Sequence, residues 1–600
     1  MIKKLAVFIG EYKKFAVLVP IFVFCEALSE LYMPVLMAKI IDVGIPNSDI
    51  SYIAKIGGLM AGLACLAMSF GYLIMRYSSY CSHGYGANLR NALFEKVQTF
   101  SFQNIDHFST ASLVTRLTND VNNMQMTVLM MLRIVLRAPM MLIIAFILAF
   151  SINARLSTFI AGAIVVLSVS IWLIMRTAVK LYTIVQQKID AINNTIQENL
   201  IGVRIVKSFV RADFEKSKFK KVNDALTEAA VRAANVAVLN FPIMILVMNG
   251  ATLAIIWSGG HMVFNNTLGA GQLISFLSYV FQILFSVMMI SMIILMAARA
   301  QASAERILEV IETRVDIGDL SLKQISDPNG LSQQDTLHAN DHSARSPSIG
   351  KGKVEFRHVS FKYNSSESGE NVICDINFTA HPGEIIAIVG GTGTGKSTLV
   401  NLIPRLYDVT EGSVLIDDID VRDYQLQDLR NGIGVVLQKN TLFSGTIYEN
   451  LLWGNETATH EQVEAACKDA QAHEFIMSFP EGYNTLLGQG GVNLSGGQKQ
   501  RLCIARAMLK QPKILILDDS TSAVDSATEA KIRESFYNNL AQTTVFIIAQ
   551  RISSIRDADK IIVLDDGRVV GIGTHQELLK SNAVYQEINA SQLEGAADHE

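Results

Sequence analysis

The sequence predicts an all-α six-helix transmembrane domain followed by an α/β P-loop domain, and three observations carry that prediction. Half of the 600 residues are apolar and only 18% are charged, against about a quarter charged in an ordinary soluble chain. The apolar excess is uneven: long runs almost free of charge fill the first half, and normally charged, strand-rich text fills the rest. One short apolar run in the second half opens into a glycine-rich loop ending in Lys-Ser. With 51 basic and 55 acidic residues the net charge is −4, which lacks the basic excess of a nucleic-acid surface. Disorder and collagen-like repeats are excluded by the same composition. The six cysteines, with no C-x-x-C pair, read as small buried hydrophobes of a reducing compartment.

A spanning helix needs about 20 predominantly apolar residues. Six windows qualify, centred on Phe15 to Ile41, Ile56 to Met75, Val128 to Ile152, Leu156 to Met175, Val236 to Trp257 and Leu273 to Ala298. The start is basic, but the run after it carries Glu26 and Glu30 and has no clean small-residue cleavage site, so it reads as a first span. Lys3, Lys4, Lys13 and Lys14 precede that span, and Arg76, Arg90, Lys96 and Arg116 follow the second. The stretch from Arg176 to Arg232 is also basic, whereas Gly259 to Gly271 holds no Lys or Arg, so both termini are expected to be cytoplasmic. The internal connections keep helical periodicity, which predicts helices running far beyond the bilayer as a platform for the soluble half. Phe108 to Leu113 and Asn199 to Phe209 are the expected docking elements within them.

Charges inside spans point to function or to structural pairing. Glu26 and Glu30 lie four apart, as do Arg133 and Arg137, so each pair shares a helix face. Glu30 and Arg137 fall at similar depth, roughly 20 to 25 Å below the outer surface, and are expected to pair. Met244, Met248, Met288, Met289, Met292 and Met296 supply flexible thioethers suited to a cavity of variable occupancy or to ordinary packing.

The text turns polar from Val315 to Lys353, a linker, and a new domain opens at Val354. The boundaries are therefore 1–315 transmembrane, 316–353 linker, 354–587 nucleotide-binding and 588–600 tail. Ile385 to Val389 reads as a buried strand entering Gly390-Gly391-Thr392-Gly393-Thr394-Gly395-Lys396-Ser397-Thr398, a phosphate-binding loop in its strand, loop, helix context. The glycines let backbone N–H groups curl around phosphate oxygens, Lys396 reaches the β/γ-phosphates and Ser397 ligates Mg²⁺. A second apolar strand, Ile514 to Leu517, delivers Asp518 as the Mg²⁺ partner. Ser495-Gly496-Gly497-Gln498 lies between the two.

These residues resemble the ABC transporter ATPase, and the resemblance covers nearly the whole chain as an exporter-type half-transporter whose nucleotide-binding domain includes a helical subdomain. It implies ATP and Mg²⁺ as ligands, Tyr363 stacking on adenine, and Gln438 linking Mg²⁺ to the membrane domain. It implies also that Ser495 to Gln498 close over ATP held by a second chain, and that Ser522-Ala523-Val524-Asp525 form the D-loop. Two positions depart from the family pattern: Asp519 replaces the usual glutamate after Asp518, and Gln550 replaces the usual histidine. Aspartate is about 1.5 Å shorter, and a misplacement of about 1 Å can cost on the order of a hundredfold in rate. Glutamine cannot act as an imidazole. The pattern is similar to the degenerate-site subunit of heterodimeric bacterial multidrug exporters, implying a partner half-transporter with regular glutamate and histidine and a multi-pass location in the cytoplasmic membrane. A homodimeric lipid or peptide exporter and an ATP-gated channel or regulatory membrane protein stay open as alternatives.

Overall fold

The computed structural model describes residues 2–318, 347–363, 370–520, 523–540 and 542–597. Its contacts divide into two compact units, residues 1–98 with 111–313 and residues 99–110 with 314–600. Most of the sequence-predicted linker, 319–346, lies outside the described residues.

The first unit is helical. Among the described residues, six helices contain apolar windows long enough to cross a membrane: α1 (Ala6–Gly44), α2 (Ile50–Gln98), α3 (Thr110–Ile152), α4 (Ala154–Ile201), α5 (Ala212–Phe264) and α6 (Ala270–Glu312). The 49 residues of α2 measure about 74 Å at 1.5 Å per residue, more than twice the ~30 Å hydrocarbon layer. Only Asn153 separates α3 from α4; its side chain accepts the Leu156 N–H at 3.0 Å and caps the new helix. Asp42 accepts the N–H groups of Gly271 at 2.6 Å and Gln272 at 3.0 Å, placing a carboxylate at the positive end of α6.

Small side chains let these helices approach. Ala27, Ala145 and Ala149 are fully buried beside Leu31, Leu156, Ile160 and Phe276. Pro34 interrupts the hydrogen-bond ladder of α1. The Tyr279 hydroxyl donates to the Leu31 carbonyl at 2.7 Å and the Ser275 hydroxyl to the Pro34 carbonyl, so two side chains of α6 are tied to the α1 backbone inside the bundle.

The second unit contains twelve described strands: β1 (Val354–Phe361), β2 (Ile373–Ala380), β3 (Ile385–Gly390), β4 (Glu411–Ile416), β5 (Ile419–Asp420), β6 (Ile433–Val436), β7 (Gly445–Thr446), β8 (Leu486–Leu487), β9 (Ile514–Asp518), β10 (Thr544–Ile548), β11 (Lys560–Asp565) and β12 (Arg568–Gly573). The main sheet runs β12-β11-β3-β10-β9-β6, parallel except for β12, and a second, antiparallel sheet runs β2-β1-β4-β5. Alternate residues of β3 face two different cores: Ala387 and Val389 pack with Leu515 and Leu517, Ile386 and Ile388 with Ile514 and Ile516. A strand buried on both faces must be apolar throughout, which is why β3 and β9 read as unbroken hydrophobic runs. Helices Ile447–Leu452, His460–Asp469 and His473–Met477 form the helical subdomain around Leu451, Val463, Cys467 and Ile476. Cys467 is fully buried, and burial pushes its thiol up to about 12.

The start of the domain is pinned before β1 begins. Four successive N–H groups, from Gly350 to Lys353, converge on the Asp417 carboxylate at 2.8 to 3.0 Å. Successive backbone donors on one anion form a nest.

Candidate functional site

Parallel strands of a doubly wound sheet bring their carboxyl ends to one edge, where ligands bind. β3 ends at the phosphate loop, β9 at Asp518, β10 two residues before Gln550 and β6 two residues before Gln438. In register, Ile548 faces Asp518 across the β10–β9 pair, so the four sequence-predicted segments share that edge.

The loop itself fits a polyphosphate. Gly393 and Gly395 hold φ of +85° and +87°, a left-handed region that favours glycine, and a Cβ on Gly393 would meet nothing within 4 Å. The open space is where an anion would sit against the N-terminus of α7 (Lys396–Leu402). The Lys396 ammonium donates to the carbonyls of Gly390 at 3.0 Å and Gly391 at 2.6 Å. Burial holds that ammonium below its ordinary value, while Asp518 and Asp519 act in the opposite sense. The Ser397 hydroxyl donates to Asp518 Oδ1 at 3.0 Å. Asp518 is 5% exposed, and burial lifts its carboxyl above the ordinary carboxylate range. A desolvated carboxylate beside a hydroxyl suits a hard cation with oxygen ligands such as Mg²⁺.

Asp519 and Gln550, the two departures from the family pattern, meet each other. The Gln550 amide donates to Asp519 Oδ2 at 2.7 Å. Asp519 itself sits at φ +48°, and its N–H donates to the Ile548 carbonyl at 3.1 Å. Gln438 is exposed beyond β6.

Ser495 caps α8 (Gly496–Leu509): its hydroxyl accepts the Gln498 N–H at 3.3 Å, and Gln498 Oε1 accepts the Ser495 N–H at 2.9 Å. A Cβ on Gly497 would lie 2.7 Å from the Ala523 carbonyl, so the glycine permits the close approach of that backbone. Val524 is buried, Asp525 caps α9 (Ser526–Asn539) through the Thr528 N–H at 2.9 Å, and Ser522 lies outside the described residues. Sequence reasoning missed Gln500, which is 3% exposed, accepts the Ala523 N–H at 3.0 Å and donates to the Asp519 carbonyl at 3.4 Å. It also missed Gln592 on α10 (Ala583–Ala597), which crosses the expected boundary at 587. Gln592 accepts the Ile552 N–H at 2.8 Å and donates to the Gln550 carbonyl at 2.7 Å. Nothing local in the sequence marks either glutamine.

Tyr363 is half-buried, its hydroxyl bonded to Thr398 Oγ1 at 2.9 Å. Its ring stands edge-on to Phe361 at 4.8 Å and Tyr407 at 5.2 Å. The Tyr407 hydroxyl donates to Asp106 at 2.7 Å, and Phe102 meets the same ring. These contacts come from the short helix Phe102–Phe108, upstream of most of the stretch singled out in sequence. Phe108 is buried instead against Phe100, ring centroids 5.6 Å apart.

Within the membrane unit, Arg137 reaches Glu30 at 2.7 Å and Glu26 at 3.4 Å. Arg133 does not join them; it donates to Ser78 at 2.7 Å, to Ser79 at 3.0 Å and to the Met75 carbonyl at 3.0 Å, all on α2. A cavity of about 440 Å³ opens beside Glu30 and Arg137, walled by Met141, Met244, Met248 and Met289 with Phe281 and Phe285. The side chains of Met292 and Met296 lie outside the described residues.

Comparison with known proteins places this architecture. The ABC transporter transmembrane region matches residues 17–288 and the ABC transporter family matches residues 373–522. The chain is 38% identical over 586 residues to the ABC transporter ATP-binding protein YfiB of Bacillus subtilis, covering 98% of each. It is 34% identical over 501 residues to YgaD of the same organism, provisionally named a multidrug export ATP-binding/permease protein, covering 84% of this chain and 82% of that one. Among solved structures, a bacterial Atm1-family ABC exporter with ATP bound matches at a TM-score of 0.77 and 25% identity, over 96% of this chain and 99% of the other. With its membrane domain and ATP-binding domain in one chain, the protein belongs to the ABC transporter family, as a multi-pass membrane protein of the exporter type.

Proposed function

We propose that the chain is the degenerate-site half of a two-chain exporter that uses ATP to drive hydrophobic or amphiphilic compounds across the cytoplasmic membrane. The single observation that carries the reading is the Gln550 to Asp519 hydrogen bond of 2.7 Å. A water attacking the terminal phosphate needs a base at the right reach and a donor on the phosphate. Asp519 is one methylene shorter than glutamate, and one of its oxygens already accepts the Gln550 amide. The amide thereby loses a hydrogen for the phosphate. ATP bound by Lys396 and Ser397, with Mg²⁺ on Ser397, Gln438 and Asp518, is held and turned over slowly. Bound Mg²⁺ would offset phosphate charge.

The signature residues Ser495 to Gln498 are regular, so they complete a competent site on a second chain that carries the usual glutamate and histidine. YgaD, by its provisional name a multidrug exporter, and the methionine-rich cavity support an apolar cargo.

The test is purification from native membranes followed by ATPase assay. The expected result is a copurifying half-transporter, with turnover confined to its site. Asp519→Glu combined with Gln550→His should then raise hydrolysis at this chain's site by about tenfold or more, on the scale that such misplacements cost. Brisk turnover by this chain alone would overturn the reading in favour of a homodimer.

A further inference from the structure

We propose that the membrane unit holds the phosphate headgroup of an anionic phospholipid between Lys14 of α1 and Arg76 of α2. Gly10, at φ +52°, kinks the start of α1, and the regular helix beyond it opens with Lys13 and Lys14. The Lys14 ammonium lies 5.2 Å from the centre of the Phe15 ring. That ring stacks on Tyr77 at 5.2 Å and tilts against Tyr80 at 6.3 Å, both on α2. Arg76 stands beside the Tyr72 hydroxyl and near those of Tyr77 and Tyr80; it shares a helix face with Tyr72 and Tyr80, each four residues away. The two cations therefore flank one aromatic cluster.

The charges around the cluster do not balance. Residues 1–25 contain one carboxylate, Glu11, and residues 70–94 contain none. Among the described residues Lys4 is paired with Glu312, while Lys13, Lys14 and Arg76 form no ion pair. Those three cations against Glu11 leave an excess of positive charge. The intramembrane charges do not cancel it, because Glu26 and Glu30 are matched in number by Arg133 and Arg137. A phosphate offsets the excess, and the tyrosine hydroxyls offer it further donors.

Depth selects a lipid over a free anion. Arg76 lies about 39 Å from Ile50 along α2, and Lys14 about 45 Å from Gly44 along α1. With the turn between Gly44 and Ile50 at one membrane face, both cations would reach the opposite headgroup layer of a bilayer about 40–45 Å thick. Tyrosine is enriched at that level, and anionic headgroups attract cations there. Tyr72, Arg76 and Tyr80 are exposed, so a lipid can approach α2 from the side. Val17 and Ile21, exposed on α1 nearer the bilayer centre, would meet its acyl chains. The proposal stands without the export reading, because it concerns a lipid that stays rather than cargo that moves.

The experiment is native mass spectrometry of the full chain, with any copurifying partner, stripped of lipid in detergent and titrated with phosphatidylglycerol or with phosphatidylcholine. The first phosphatidylglycerol should bind at least tenfold more tightly than the first phosphatidylcholine. Lys14→Gln combined with Arg76→Gln should bring the two lipids within twofold, and Lys14→Arg should keep the preference. Arg176→Gln combined with Lys180→Gln, two cations of α4 of which Arg176 lies over Trp172, should leave it unchanged. Equal affinity for the two lipids in the parent, as when a second chain covers the cluster, would overturn the site. So would a preference that survives the loss of both Lys14 and Arg76, or one that falls equally with the α4 pair, which would mean diffuse attraction. Displacement of phosphatidylglycerol by inorganic phosphate would assign the cluster to a free anion instead. Should the double variant not fold, Arg76→Gln alone decides, with at least a threefold loss of preference expected and no loss overturning the site.

Discussion

A single buried carboxylate, Asp518, weakens the fold that carries it. It is almost wholly buried, bonded to Ser397, and burial raises its carboxyl above the ordinary value of 3.8. An acid whose folded value is raised binds its proton more tightly folded than unfolded. Its contribution to stability therefore falls as pH rises from 3.8 through the raised value, and the deficit persists at neutral pH. Asp518→Asn removes that penalty while retaining an oxygen for Ser397. At pH 7 without nucleotide the variant should unfold higher by a few degrees, since about 1 kcal/mol moves a domain of 150–250 residues by about 2–4 °C. Mg-ATP should raise the apparent Tm of the parent and leave the variant nearly unmoved. Scanning fluorimetry in both conditions checks this, and a variant that still gains stability from Mg-ATP would remove Asp518 from the metal site. Asp518 was legible in sequence because an apolar strand ending in a carboxylate is a local pattern. Gln500 was not: it stands 19 residues before Asp519, inside a helix whose other residues give no hint that one side chain turns to the D-loop backbone.

Elements reach the site by contacts that are distant in sequence. Gln592 on α10 holds the chain on both sides of Arg551, through Ile552 N–H and the Gln550 carbonyl. Gln592→Ala loses two hydrogen bonds, worth about 1 kcal/mol each. Hydrogen exchange at Ala549 to Ile552 should quicken, and nucleotide turnover in the assembled transporter should fall several-fold; unchanged exchange would mean that α10 does not brace the segment around Gln550. The same logic holds at the helix Phe102–Phe108. Tyr407→Phe keeps the ring against Tyr363 and Phe102 but removes the bond to Asp106, 301 residues away. Ligand stimulation of ATPase should drop while ATP affinity holds within twofold; equal loss of both would assign Tyr407 to nucleotide binding. Sequence periodicity predicted helical docking elements, and a polar connection between helices is enough for that. It placed the first one at Phe108 to Leu113 because nothing local distinguishes Phe102, which meets Tyr407, from Phe108, which packs on Phe100. Side-chain direction depends on the tertiary partner.

At the scale of the whole molecule, the six spans were legible because bilayer thickness imposes a length on apolar runs that composition alone reveals. Arg133 was not, since shared helix face with Arg137 does not say which neighbour each meets. The second docking stretch carries a larger consequence. Ile201, Ile205, Phe209 and Val210 are 78, 65, 74 and 87% exposed. Ile201 ends α4 and the other three follow it; the 48 residues of α4 span about 72 Å from the turn at Asn153, so with that turn at one membrane face these side chains would lie on the order of 40 Å beyond a ~30 Å hydrocarbon layer. Lipid cannot cover apolar side chains there, and a contiguous apolar patch in water marks an interaction surface. By the charge rule the basic stretch around it predicts that this end faces the cytoplasm. In a chain whose native cysteines are replaced, Phe209→Cys should react with a membrane-impermeant maleimide only when the cytoplasmic face is accessible, and Asn266→Cys, in the loop between α5 and α6, only from the opposite side. Assembly with a second half-transporter should slow the Phe209→Cys reaction at least fivefold and leave Asn266→Cys unchanged. Reaction of Phe209→Cys from the external face would invert the topology. An equal rate with and without the partner would leave the patch uncovered in the complex, and the cover would then have to come from elsewhere than the second chain.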